Sequence, residues 1–319
     1  MGEKTGIQWC DATDNPIRVR DPRTGKFGGF YCVKISPGCT NCYAASMVST
    51  GRFGEPIPYV AGPGAPELYL DEEMLAGWAK KTKPKKRFVS SMTDIAGEFV
   101  PDEWYWNILE AQRQAPLQTF LNLTKRAGRM DILTAAWMES IGPSNAPANI
   151  WPGFSAENQE WFDKRWPHIR QLAEDYGFIV WVSAEPLLGP IRLPDSFLSL
   201  RKKAWCIVGG ESGSDARPMN PHWARDLRDQ CTLAGVPFFF KQWGEYAPAS
   251  QSVPGGTKAH FFEANGKRAD PNIPLSRIPD GFMMWKLGKH AAGRLLDGQE
   301  WSQFPDAVPE ATPEFLTLV

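Results

Sequence analysis

Short apolar runs recur along the chain with enough sequence between them for one helix each. Runs over Phe30–Val33, Arg87–Ser91, Thr119–Leu123, Ile150–Phe154, Phe178–Ser183, Ala204–Val208 and Pro237–Lys241 predict strands. Between them, Asp102–Gln114, Gln159–Tyr176 and His222–Ala234 read as helices. Pro221 before the last of these and Gly235 after it suit a helix start and stop, because proline lacks only an N–H the first turn cannot use and glycine tolerates the left-handed cap. Strand and helix in alternation predict a parallel sheet covered by helices. Arg18–Gly29 and Tyr246–Asn272 read as loops, and residues 273–319 are expected to cover one end of the fold. The expected architecture is α/β, a (β/α) barrel of TIM type, full or partial. It would span residues 1–245, with 246–319 as an extension packed on it.

Most of these strands run into polar residues. The exits read Ser90-Ser91-Met92-Thr93-Asp94, Thr124-Lys125-Arg126, Ser155-Ala156-Glu157, Ser183-Ala184-Glu185-Pro186, Gly209-Gly210-Glu211-Ser212-Gly213 and Lys241-Gln242-Trp243-Gly244. In a (β/α) barrel the carboxyl ends converge on one mouth, where active sites are built. Helix capping accounts for a Ser, Asp or Glu at any one exit. It does not account for the return of Lys125, Arg126 and Lys241. One reading is therefore a metal-free hydrolase in which Glu157, Glu185 and Asp94 do acid–base work.

Composition narrows the setting. At 319 residues and 42% hydrophobic content the chain can bury a large core, and a net charge of −1 supplies no global field toward nucleic acid or membrane. No apolar run is long enough to span a bilayer. Met1-Gly2-Glu3-Lys4 does not read as a signal peptide, so reduced thiols in a cytoplasm are expected. One local exception is Lys80–Arg87, with six positive charges in eight residues. It precedes a strand, so it should lie at the end opposite the mouth, as a solvated turn or as a phosphate contact to nucleic acid.

The densest chemistry lies at Tyr31–Tyr43, where Cys32, Cys39 and Cys42 are spaced C-x6-C-x2-C. Three close thiolates suit a cubane iron–sulfur cluster with one iron left open for a small molecule. Zinc with a fourth ligand from afar, or incidental thiols, fit the same spacing. Cys10, Cys206 and Cys231 stand far apart in sequence and read as small buried apolar residues.

Several runs resemble one family: Gly6-Ile7-Gln8-Trp9 with Asn15-Pro16, Ser36-Pro37-Gly38-Cys39 through Cys42-Tyr43-Ala44, and Ser90-Ser91-Met92 with Asp94. Leu123-Thr124-Lys125-Arg126, Glu185-Pro186-Leu187-Leu188, Gly209–Gly213 with Ala216-Arg217-Pro218, Phe239–Gly244, and Gly288-Lys289 through Gly293-Arg294 continue it. By these the chain is identified as resembling the phage-associated family named after gene products thirty-seven and sixty-eight. That family is regarded as similar to radical S-adenosylmethionine (SAM) enzymes and often accompanies a three-Cys-motif partner protein.

The resemblance implies a [4Fe-4S] cluster on Cys32, Cys39 and Cys42, SAM as cofactor, an external electron donor, and a 5′-deoxyadenosyl radical. A nucleobase or nucleotide is the implied substrate class, and the host cytoplasm the implied location. Ser90, Ser91, Asp94, Gly209, Gly210 and Glu211 would bind SAM. Glu157, Glu185 and Lys125 would act at the reacting centre, and Arg126, Lys241 and Gln242 would hold substrate. The alternative is a non-catalytic metal-binding module. The chain departs from the common radical SAM pattern in its C-x6-C-x2-C spacing and in carrying Ser90-Ser91 where Gly-Gly-Glu usually follows the second strand.

Overall fold

The computed structural model describes residues 3–62, 64–142, 146–248, 259–270 and 273–305. The chain opens with strand β1 (Ala12–Asp14). A small antiparallel sheet follows, β2 (Ile17–Arg20), β3 (Phe27–Gly29) and β4 (Leu68–Leu70), interrupted by helix α1 (Tyr43–Ser49) and followed by α2 (Glu72–Trp78). Regular alternation then sets in: β5 (Lys85–Val89), α3 (Asp102–Arg113), β6 (Gln118–Thr124), α4 (Ala127–Ile141), β7 (Ile150–Ser155) and α5 (Gln159–Tyr176). It continues through β8 (Val180–Ala184), α6 (Asp195–Leu198), β9 (Ala204–Gly209), α7 (Pro221–Ala234) and β10 (Phe238–Gln242). The tail adds β11 (Tyr246–Pro248), β12 (Ala259–Phe262), β13 (Phe282–Lys286) and α8 (Lys289–Ala292), with β13 central in a second antiparallel sheet.

The main sheet has seven strands in the order β1-β5-β6-β7-β8-β9-β10, all parallel, curled into a half-barrel. Strand periodicity places alternate side chains on opposite faces. Phe120, Phe154, Val180, Val182, Cys206, Val208, Phe238 and Phe240 join the core under the helices. Phe88, Leu121, Trp151, Trp181, Trp205, Ile207 and Phe239 fill the concave face with Trp9. Both faces are dry, as a parallel sheet requires. The ring of Trp9 lies 5.2 Å from that of Trp181, and Trp181 6.0 Å from Trp205, both pairs tilted, so a tryptophan layer floors the half-barrel.

The tail covers an edge that would otherwise expose unpaired backbone. Phe240 N–H donates to Trp301 C=O at 3.0 Å and Gln303 N–H to Phe238 C=O at 3.1 Å, beside β10. Phe304 lies 5.0 Å from Trp205 and closes the floor from below.

Three expectations need correction. Phe30–Val33 is not a strand; the sheet begins at Ala12–Asp14, so the cysteine loop does not follow the first strand directly. Phe30 and Tyr31 are apolar because they pack on Phe53 and on Tyr59 and Phe99, not because they pair in a sheet. Arg18–Gly29 is mostly a hairpin, β2 against β3. Tyr246–Asn272 contains β11 and β12, and its residues 249–258, 271 and 272 lie outside the described residues, as do 306–319 of the expected cap.

Candidate functional site

At the carboxyl ends of the sheet a cavity of about 400 Å³ opens between the cysteine loop and the strand exits. All three motif cysteines line it, as do Ser90, Ser91, Asp94, Lys125, Arg126, Glu185, Gly210, Glu211, Lys241 and Gln242. Strand periodicity delivers several of these from the floor upward: Trp181, Ser183, Glu185 on β8's exit, and Leu121, Leu123, Lys125 on β6's.

Three strand-end carboxylates hold the cysteine loop. Glu157, fully buried after β7, accepts a 2.6 Å hydrogen bond from Ser36 Oγ and a 3.0 Å bond from Arg165. Gly38 makes this approach feasible, since a Cβ there would stand 2.4 Å from Glu157 Oε1. Glu211, after β9, accepts from Asn41 Nδ2 at 3.0 Å and from Arg217 at 2.6 Å, and Arg217 also donates to Pro37 C=O at 2.9 Å. Asp94, after β5, accepts from Ala96 N–H, Thr124 Oγ1, Lys125 N–H and Arg126, all at 2.7–3.1 Å. Arg126 then donates to Val33 C=O at 3.0 Å, beside Cys32. The loop is thus fastened next to Cys32, before Cys39, and between Cys39 and Cys42.

This redistributes the expected roles. Glu157 does not line the cavity, and its oxygens are taken by Ser36 and Arg165. Gly209 does not line it either; it leaves room for Glu185, whose carboxyl carbon would lie 3.3 Å from a Cβ there. Asp94, Arg126 and Glu211 lie on the wall with their charges already paired. Gly210 lets the exits of β9 and β10 touch, since its Cβ would fall 1.9 Å from Trp243 C=O.

The less committed groups are different ones. Lys125 donates to Ser155 Oγ at 3.2 Å. Lys241 pairs with Glu185, and the exposed Lys289, from α8, lines the same cavity. Ser90 holds φ 64° and is 3% exposed, and its Oγ has no hydrogen-bond partner; nor has Gln242 Oε1. A left-handed serine with an idle buried hydroxyl is the kind of backbone outlier that collects at binding sites. Ser91 is committed: its Oγ accepts from Asn15 at 3.1 Å and its C=O from Tyr43 OH at 2.6 Å. Lys289 escaped the sequence reading because no strand exit marks it; its place in the Gly288-Lys289 run was the available signal.

The thiols are electrostatically unequal. Burial pushes Cys32 up to about 12, with Asp94 adding to it. Burial also opposes ionisation of Cys39, but Lys125 and hydrogen bonds around Ser36 outweigh it and lower its pKa. Burial works against the Arg126 charge, yet Asp94, Cys32 and Glu98 raise its pKa overall. Among the described residues no three His, Cys, Asp or Glu side chains are gathered as a metal ion requires.

The outlying motifs resolve simply. Lys81, Lys85 and Arg87 all converge on the single carboxylate of Glu3, at 2.8, 2.8 and 3.1 Å, and Arg87 also pairs with Asp14, so the charge of the basic run is partly offset locally. Cys10, Cys206 and Cys231 are buried, and none of them belongs to the three-cysteine loop. Among the described residues no helix is long and apolar enough to cross a membrane.

A family model matches residues 4–305, nearly the whole chain. The chain belongs to the family described as Protein of unknown function (DUF5131). No curated protein and no solved structure matches it. In this DUF5131 member the three-cysteine loop and the strand exits share one cavity.

Proposed function

We propose that this cavity is the active site of a radical SAM enzyme, with Cys32, Cys39 and Cys42 holding a [4Fe-4S] cluster. The observation that carries the reading is that all three thiols of the C-x6-C-x2-C loop open into one cavity, above the carboxyl ends of a parallel half-barrel. The donor chemistry fits: a lone zinc with Zn–S bonds of about 2.3 Å needs its donors converging on one point, whereas a cubane takes each thiolate at a separate iron. When bound, such a cluster supplies one-electron cleavage of SAM to a 5′-deoxyadenosyl radical.

The chain's own residues supply placement. Glu157, Glu211 and the Asp94–Arg126 pair fasten the loop that carries the thiols. Lys125 offsets thiolate charge at Cys39. Ser90 Oγ and Gln242 Oε1 offer a donor–acceptor and an acceptor to a ligand in the cavity. The Trp9, Trp181 and Trp205 floor keeps water from entering below. The kinship with the phage gene product thirty-seven and sixty-eight family, an external electron donor, a three-Cys-motif partner and a nucleotide-class substrate belong to the same proposal.

The test is product formation. Anaerobically reconstituted protein given SAM and dithionite should release 5′-deoxyadenosine, and Cys39→Ala should release none. Release from Cys39→Ala at the wild-type rate would refute the assignment.

A further inference from the structure

The charges around the cavity do not balance. Arg126 is answered by Asp94 and Glu98, and Glu211 by Arg217. That leaves Lys125, Lys241 and Lys289 on the wall against Glu185. Glu185 pairs with Lys241, and among the described residues no carboxylate bonds the Lys125 ammonium. Lys289 lines the same cavity from its exposed rim, and partial desolvation and the Lys241 charge lower its pKa. An ammonium held near a second ammonium is a site waiting for negative charge.

A second feature lies in the same place. Gln242, 6% exposed, directs Nε2 to Ser212 Oγ at 3.1 Å and leaves Oε1 without a partner, although it lines the cavity. Leaving a buried acceptor unpaired is costly, and a ligand N–H or O–H would relieve that cost.

We propose that Lys241 and Lys289 form an oxyanion subsite, and that the molecule admitted to this cavity is a small one carrying a phosphate or carboxylate next to an N–H or O–H group that Gln242 accepts. Lys289 comes from the tail, which follows the parallel sheet in sequence, so the tail completes the cavity's substrate side. The inference rests on reading this cavity as the active site, but not on any metal in it.

The experiment is titration calorimetry of metal-free protein at low ionic strength with inorganic phosphate, adenosine 5′-monophosphate, adenosine and acetate. Phosphate and the monophosphate should bind, the monophosphate more tightly, with adenosine at least about tenfold weaker. Binding of acetate in place of phosphate would assign a carboxylate to the same lysines. Lys289→Gln should weaken anion binding about tenfold, as expected for loss of one charged hydrogen bond. Lys289→Arg should restore most of it, and Lys267→Gln, on an exposed turn away from the cavity, should change nothing. No anion binding at low salt overturns the proposal, as does equal binding by Lys289→Gln or equal weakening by Lys267→Gln. Repeating the titration on Cys39→Ala separates the two readings: anion binding there stands whatever the fate of the cluster, and a cluster-loaded protein that binds no anion fails only the subsite.

Discussion

Ser36 donates a 2.6 Å hydrogen bond to the buried carboxylate of Glu157, across 121 residues of sequence. This contact joins the three-cysteine loop to the sheet at a point three residues before Cys39. It makes Glu157 a positioning residue, with Arg165 as the countercharge behind it.

Replacing Glu157 should therefore be felt as lost stability. Glu157→Gln leaves Arg165, with a side chain 4% exposed, without a countercharge. Breaking a buried pair from one side costs about 3–5 kcal/mol, whereas replacing both partners with apolar groups is often close to neutral. The urea midpoint should fall in Glu157→Gln and recover in the Glu157→Leu/Arg165→Met double variant. A double variant as unstable as the single one would mean the charge is not the reason.

The floor of the cavity gives a prediction of a different kind. Trp181 is fully buried and its Nε1 donates to Trp151 C=O at 2.9 Å. Trp181→Ala should cost about 3–5 kcal/mol by the lost burial and the cavity left behind. Leu233, 92% exposed on α7, is the contrast: Leu233→Ala should fall within about 0.5 kcal/mol of wild type. Denaturant unfolding of the two variants checks both.

Acid should loosen the loop. Burial acts to raise the pKa of Glu211, but its bonds from Arg217 and Asn41 outweigh burial and hold it below the usual carboxylate value. A depressed folded-state pKa contributes stability that is present above the unfolded value of about 4.3 and is lost as pH falls through the folded value. Stability should decline on acidification below about pH 4.5, and Glu211→Gln should show a shallower decline. Urea midpoints taken at successive pH values test this, and identical slopes would contradict it.

Much of this was legible in the sequence, for reasons that particular residues make plain. Trp181, Ser183 and Glu185 alternate with the residues that face the helices, so the run states both the strand and which side chains reach the mouth. The parallel half-barrel and the grouping of strand ends follow from that pattern. What Glu157, Asp94 and Glu211 do there was not legible. A strand-end carboxylate reads the same whether it faces a ligand or an arginine, and Arg165, Arg126 and Arg217 reach it through folded geometry. Strand β1 was missed because three residues, Ala12-Thr13-Asp14, carry no apolar run. Phe30 was misplaced because an aromatic buried in a loop has the composition of one buried in a strand.

The most direct test of the account is metal and sulfide analysis with an absorption spectrum, on protein reconstituted anaerobically. The account predicts a brown protein with about four irons and matching sulfide per chain, both lost in Cys39→Ala. A colourless protein, or one holding a single zinc that survives Cys39→Ala, would contradict it.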